Sequence, residues 1–192
     1  MKYSKEWLSK DEIKKLFSCP KIKTRDLLLI RVAYYGGLRI SEVLDSRRED
    51  YRTDEYCYLL IKEQKTDKLN WESQPLPASI YADVVRYCND NNIKTQDYVF
   101  QSNRKQELSY IRAYKMVKEI CSKCGIIKPI TTHTFRRSRA THLKNNGMSL
   151  NNVMLFLRHK RIETTIIYLK ISKKELADEL AKIDKKLLFE EI

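Results

Sequence analysis

The chain has no long hydrophobic run. Its longest, Leu27 to Tyr35, is interrupted by Arg31 and falls short of the ~18 residues that a membrane-spanning helix needs. The N-terminal stretch Met-Lys-Tyr-Ser-Lys-Glu lacks the apolar centre of a signal peptide, so the expected location is the cytoplasm. Cysteine is thin and scattered: Cys19, Cys57, Cys88, Cys121 and Cys124 are odd in number and lack the density of a disulfide scaffold, which favours reduced thiols. Cys121 and Cys124 form a C-x-x-C pair. No second Cys or His pair stands at zinc-ribbon spacing, so a zinc or redox module centred on them is the weaker reading. No internal repeat, low-complexity tract or interdomain linker is visible, and 192 residues fit one domain with a real core. Acidic residues are also short, 25 against 38 Lys and Arg, leaving a net charge of +13 spread from end to end. Such a surplus suits a polyanionic partner, although ribosomal proteins and membrane-surface binders share it.

The apolar pattern is mainly helical. Ser9 and Glu12 make a capping box in front of Ile13, Leu16 and Phe17, so a short helix starts at Lys10 and ends near Cys19-Pro20. From Thr24, apolar residues crowd most faces of a helix that stops at Gly36-Gly37, the profile of a buried core helix. Ile40, Val43 and Leu44 keep helical spacing. Tyr56 to Ile61 reads as a strand, and strand character returns before Pro75-Leu76-Pro77, giving a β-hairpin or small meander with a basic tip at 62–68. Helices follow over 79–89, 109–123, 134–145, 149–157, 163–169 and 173–188, with a brief extended piece at Tyr98-Val99-Phe100. The expected fold class is mainly α with a small antiparallel β-sheet.

Four boxes carry chemistry. In Gly37-Leu38-Arg39-Ile40-Ser41-Glu42-Val43 a guanidinium follows glycines at the start of a helix, where it can donate two parallel hydrogen bonds to phosphate oxygens. In His133-Thr134-Phe135-Arg136 the spacing of three at a helix start puts imidazole and guanidinium on one face; Arg137 and Arg139 nearby would also suit an ordinary basic helix on a DNA backbone. Leu157-Arg158-His159-Lys160 and Thr164-Thr165-Ile166-Ile167-Tyr168 complete the set, with Tyr168 nine residues after His159. Taken in order, these boxes resemble the G-L-R-x-S-E, H-x-x-R, L-G-H-K and S-T-T-x-x-Y segments of the tyrosine recombinase, or phage integrase, family, and the resemblance spans nearly the whole chain. Arg158 replaces the family's glycine, so its side chain is expected to point away from the site.

The resemblance implies the family's catalytic-domain fold, which type IB topoisomerases share, and site-specific recombination through a 3′-phosphotyrosyl intermediate. Tyr168 would be the nucleophile, with Arg39, Arg136 and His159 on the non-bridging oxygens and His133 assisting proton transfer. Glu42 would orient a cationic neighbour. The family places a lysine on a hairpin turn; Lys65 is the choice here, with Lys62 and Lys68 as alternatives. No metal or cofactor is implied. The expected partner is double-stranded DNA, bound as a homotetramer and met by a monomer, with an accessory or partner recombinase helping site choice. Residues 1–192 would be the catalytic domain alone, without the N-terminal core-binding domain of most members. The amphipathic segment 173–188 would pack on its own domain or dock on a neighbouring protomer. Competing readings are DNA relaxation of the topoisomerase kind and a non-catalytic DNA-binding regulator on an integrase scaffold.

Overall fold

In the computed structural model, residues 7–20, 22–62 and 71–159 are described. Their elements run α1 (Lys10–Phe17), α2 (Thr24–Tyr35), α3 (Ile40–Leu44), a single 3₁₀ turn (Arg48–Asp50), β1 (Tyr51–Thr53), β2 (Cys57–Lys62), β3 (Trp71–Pro75), α4 (Ala78–Asp90), α5 (Tyr110–Lys123), α6 (Thr134–Asn145) and α7 (Leu150–Phe156). The expected helices at 163–169 and 173–188 lie outside the described residues.

The capping box forms as expected: Ser9 Oγ accepts from the Glu12 amide at 3.2 Å and Glu12 Oε2 accepts from the Ser9 amide at 2.7 Å, satisfying two donors that the helix start leaves open. Upstream, the Leu8 amide donates to the buried Ser138 Oγ at 2.8 Å, fastening the entry of α1 to α6. Helix α2 buries Leu28, Leu29, Ile30, Val32, Ala33 and Tyr34, and packs against α3, α4, α5 and α6. This all-round burial makes it the axis of the main core, which extends from Leu8 to Phe135. A smaller apolar cluster, Ala140, Val153 and Leu157 with Leu143, Met148, Leu150 and Phe156 against it, joins α7 to α6.

The sheet is an antiparallel meander in the order β1-β2-β3, with Tyr51 opposite Leu59 and Ile61 opposite Glu72. The meander reading therefore holds, but it contains a strand that the sequence did not reveal, β1, only three residues long. Tyr98-Val99-Phe100, expected as an extended piece, forms no named strand. Isolated bridges, Arg47 with Tyr98 and Gln101 with Glu107, take its place, and the Val99 amide donates to the Ser46 carbonyl at 3.0 Å. With Val99 and Phe100 wholly buried, this segment is held by core packing instead of a ladder. Among the described residues no helix is long and apolar enough to cross a membrane.

Candidate functional site

Three chain reversals bring the first three boxes together. The first follows α2. Gly37 adopts φ +58°, in the left-handed region that glycine enters without strain, and a Cβ there would lie 2.5 Å from Phe156 Cε1. This bend delivers Arg39 to the N-cap of α3, and Glu42, one turn on, folds back on it. Glu42 Oε2 accepts from the Arg39 amide at 2.8 Å while Oε1 accepts from Arg39 Nη1 at 2.7 Å. The Arg39 side chain is 47% exposed and that of Glu42 only 12%.

The second reversal precedes α6. Thr134 closes it: its hydroxyl accepts from the Thr131 amide at 2.9 Å, and its own amide donates to the Thr131 carbonyl at 3.0 Å. His133 becomes the half-buried N-cap of α6. Arg136, three residues on, is among the largest fully buried side chains of the protein. Its Nη1 donates to the Gly37 carbonyl at 2.8 Å and its Nη2 to the Leu157 carbonyl, so one guanidinium fastens all three reversals; Glu42 Oε2 lies 3.9 Å from the same Nη1.

The third reversal ends α7. The Arg158 amide bonds the Leu155 carbonyl at 2.9 Å and the His159 amide bonds the Met154 carbonyl at 3.1 Å, the paired closure of a Schellman motif. Arg158 occupies its left-handed position, φ +53°, at a cost of roughly 1–2 kcal/mol for a residue with a Cβ. The expectation that its side chain turns away from the site is wrong. Arg158 reaches across to β3 and α3, where Nη1 donates to Gln74 Oε1, Nε lies 3.2 Å from Glu72 Oε2, and Nη2 lies 2.7 Å from Glu42 Oε2. Gln74, itself buried, donates onward to the Phe156 carbonyl at 3.2 Å. Period-two spacing of Glu72 and Gln74 on one strand face is the sequence signal that could have located this anchor.

Glu42 is therefore shared by three arginines. Burial pushes its carboxyl up, but the charge of Arg158, the Arg39 amide and the charge of Arg136 outweigh it, and the pKa falls below the ordinary carboxylate value. The imidazoles respond in the opposite sense. Burial, then Arg136, Arg39 and Arg158, pull His159 down to about 4. Burial, then Arg137, Arg136 and Arg39, lower His133, with Glu42 opposing. Both histidines are thus neutral near pH 7 inside a strongly cationic surface.

Of the predicted site residues, Arg39, Glu42, His133, Arg136 and His159 come together. Lys65 and Tyr168 lie outside the described residues, as does the alternative Lys68; Lys62 is exposed at the end of β2. Beyond Glu42 a cavity of about 440 Å³ is lined by Asp45, Arg47, Glu49, Asp50 and Trp71. Its carboxylates make it a poor place for a phosphate, so the chemistry belongs to the open cationic face. Cys121 and Cys124 are buried, and burial pushes the Cys121 thiol up to about 12 and that of Cys124 to about 11, which keeps both protonated. Among the described residues no group of three or more His, Cys, Asp or Glu is placed to hold a metal ion.

Known proteins resemble the chain over most of its length. The chain is 30% identical over 181 residues to the tyrosine recombinase XerD of Listeria monocytogenes, covering 89% of this chain and 60% of that protein. It is 30% identical over 177 residues to XerA of Pyrococcus furiosus, covering 89% and 59% respectively. The chain thus spans about 60% of the length of the curated relatives it matches. Among solved structures, a XerA recombinase superposes with a TM-score of 0.78 at 24% identity, covering 92% of this chain and 63% of that one. A XerH site-specific recombinase bound to its difH substrate superposes with a TM-score of 0.71 at 22% identity, covering 84% and 49%. Residues 6–175 match the Phage integrase family, and the chain belongs to that family.

Proposed function

We propose that this chain catalyses site-specific recombination of double-stranded DNA, cleaving and rejoining strands through a 3′-phosphotyrosyl intermediate. The observation that carries the reading is the convergence of Arg39, Arg136, His133 and His159 from three separate reversals onto one face, with both imidazoles neutral between fixed positive charges. Preorganised cations aimed at developing phosphorane charge are what phosphoryl transfer most requires.

In the proposed reaction the Tyr168 oxygen attacks the scissile phosphorus while Arg39, Arg136 and His159 hold the non-bridging oxygens. The phosphorus–O5′ bond breaks and Lys65 supplies the proton that the leaving oxygen takes. His133, neutral and able to accept, takes the phenolic proton of Tyr168. A free 5′-hydroxyl of another strand then attacks the phosphotyrosine and displaces Tyr168, so the bond energy is conserved and neither nucleotide nor metal enters the balance. Glu42 keeps the arginines apart and oriented. The +13 net charge supports duplex DNA as the partner through phosphate contacts that weaken steeply with salt. By the same resemblance, residues 1–192 form one catalytic domain that works in the cytoplasm, assembles as a homotetramer on DNA from free monomers, and relies on an accessory or partner recombinase for site choice.

The test is a suicide duplex nicked near its target phosphate. The full chain should form a covalent protein–DNA adduct that Tyr168→Phe abolishes, and two labelled duplexes should exchange strands. An adduct that persists in Tyr168→Phe would overturn the nucleophile; relaxation of a supercoiled circle with no strand exchange between the labelled duplexes would point to topoisomerase chemistry instead.

A further inference from the structure

Arg158 stands where a glycine would relieve the backbone, yet its side chain is one of the best anchored in the site. Gln74 and Glu72 hold its guanidinium on β3 independently of Glu42, and Gln74 is fixed in turn by the Phe156 carbonyl. Its position is set before any ligand arrives.

The two arginines within 2.7 Å of Glu42 differ in freedom. The Arg39 side chain is 47% exposed and that of Arg158 only 10%. An external phosphate can therefore draw Arg39 away, whereas Arg158 stays. Departure of Arg39 would strip Glu42, a carboxylate only 12% exposed, of the Nη1 hydrogen bond on Oε1. A poorly solvated carboxylate that loses its cation is costly, and this cost opposes capture of the phosphate. Arg136 offsets it less than Arg158 does, because its Nη1 lies 3.9 Å from Glu42 and already donates to the Gly37 carbonyl. Arg158, with Nη2 at 2.7 Å, is the cation in place.

We propose that Arg158 is a positioning residue for phosphate capture: it holds the charge of Glu42 so that the Arg39 guanidinium can transfer from that carboxylate to a phosphate. This rests on the reading that Arg39 meets the phosphate. It gives the departure from the family's glycine a function and explains why a strained backbone is retained at this position.

The experiment titrates inorganic phosphate into the full chain and follows the Arg39 Nε–H NMR signal, in the wild type, Arg158→Gly, Arg158→Lys, Glu42→Gln and the Arg158→Gly/Glu42→Gln double variant. Arg158→Gly should weaken phosphate binding about tenfold, within the usual range for coupled neighbours. Arg158→Lys, which keeps the charge but not the fork that Gln74 and Glu72 hold, should bind phosphate more tightly than Arg158→Gly and less tightly than wild type. In the double variant the neutral amide no longer needs a cation, so binding should return close to that of Glu42→Gln alone. A purely structural role for Arg158 would not be rescued by removing the charge of Glu42. Unchanged binding in Arg158→Gly, an unrescued double variant, or an Arg39 signal that ignores phosphate in the wild type would each overturn the proposal. Thermal melting checks the fold, and Arg158→Asn, which tolerates the left-handed backbone, replaces the glycine variant if that one melts early. Adduct formation by the wild type on the nicked duplex tests strand cleavage separately, so the two readings fail in different assays.

Discussion

Arg136 Nη1 donates to the carbonyl of Gly37 at 2.8 Å, joining residues 99 positions apart in the sequence. The bond explains why the first two boxes work as one unit: the bend that presents Arg39 is fixed by the arginine that should share its phosphate. Gly37 contributes twice, through the carbonyl that Arg136 needs and through a missing Cβ that lets Phe156 close over it.

Gly37→Ala tests that double role. At φ +58° an added methyl group meets backbone strain and the Phe156 ring together, so unfolding free energy should fall by about 2–4 kcal/mol. Urea denaturation measures it. Because the displaced ring sits at the end of α7, covalent adduct formation should fall more than overall DNA binding, which many basic contacts share. Pairing the substitution with Phe156→Leu should recover part of the loss. A variant as stable as the wild type would mean that the bend does not need glycine.

The depressed histidines set a pH dependence. All three, His133, His142 and His159, lie below the ordinary imidazole value, each first because of burial. Such a group is neutral in both folded and unfolded states well above pH 6.5. As pH falls, the unfolded chain takes up the proton first, so stability declines from about 6.5 downward, and the His159 contribution to the decline is complete near 4. His159→Gln should therefore flatten the stability–pH curve between those values, as read by melting temperature. Its Cε1–H resonance should titrate near 4 and move upward when phosphate binds. Titration near 6.5 in the free protein would contradict the cationic environment.

Helix positions were legible because apolar spacing, caps and terminal glycines are local signals: α1 begins at its capping box, α2 ends at Gly36, and α6 ends just before Gly147. β1 was not legible, since three residues, Tyr51 to Thr53, are too few to show alternation, and its pairing with β2 is decided by tertiary contact. The site was legible as a set of residue types in order. Its wiring was not. Glu42 was expected to orient a cationic neighbour, and the fold gives it a hydrogen bond from Arg39, an ion pair with Arg158 and the more distant charge of Arg136. Arg158 was misjudged because a sequence shows that glycine is missing but not that Glu72 and Gln74 lie within its reach on another element.

A last prediction concerns the polar contact farther along α6. The Tyr34 hydroxyl and His142 Nδ1 lie 2.7 Å apart, both residues are buried, and Trp7 meets the imidazole edge-on at 5.6 Å. This cluster ties the segment before α1 to α2 and α6. Tyr34→Phe removes the hydroxyl while leaving the ring packing, and deprives the His142 nitrogen of that partner, which should cost about 1–3 kcal/mol in urea denaturation. Adding His142→Phe should recover much of this loss, since two apolar rings have no polar atom to satisfy. Two losses that simply add would show that the residues contribute separately. Six residues of helix place His142 roughly 9 Å along the axis from Arg136, so adduct formation per folded molecule should stay near wild type in both variants. Retained cleavage chemistry with reduced stability would thus separate the clasp on the N-terminal segment from the phosphate site at the start of the same helix.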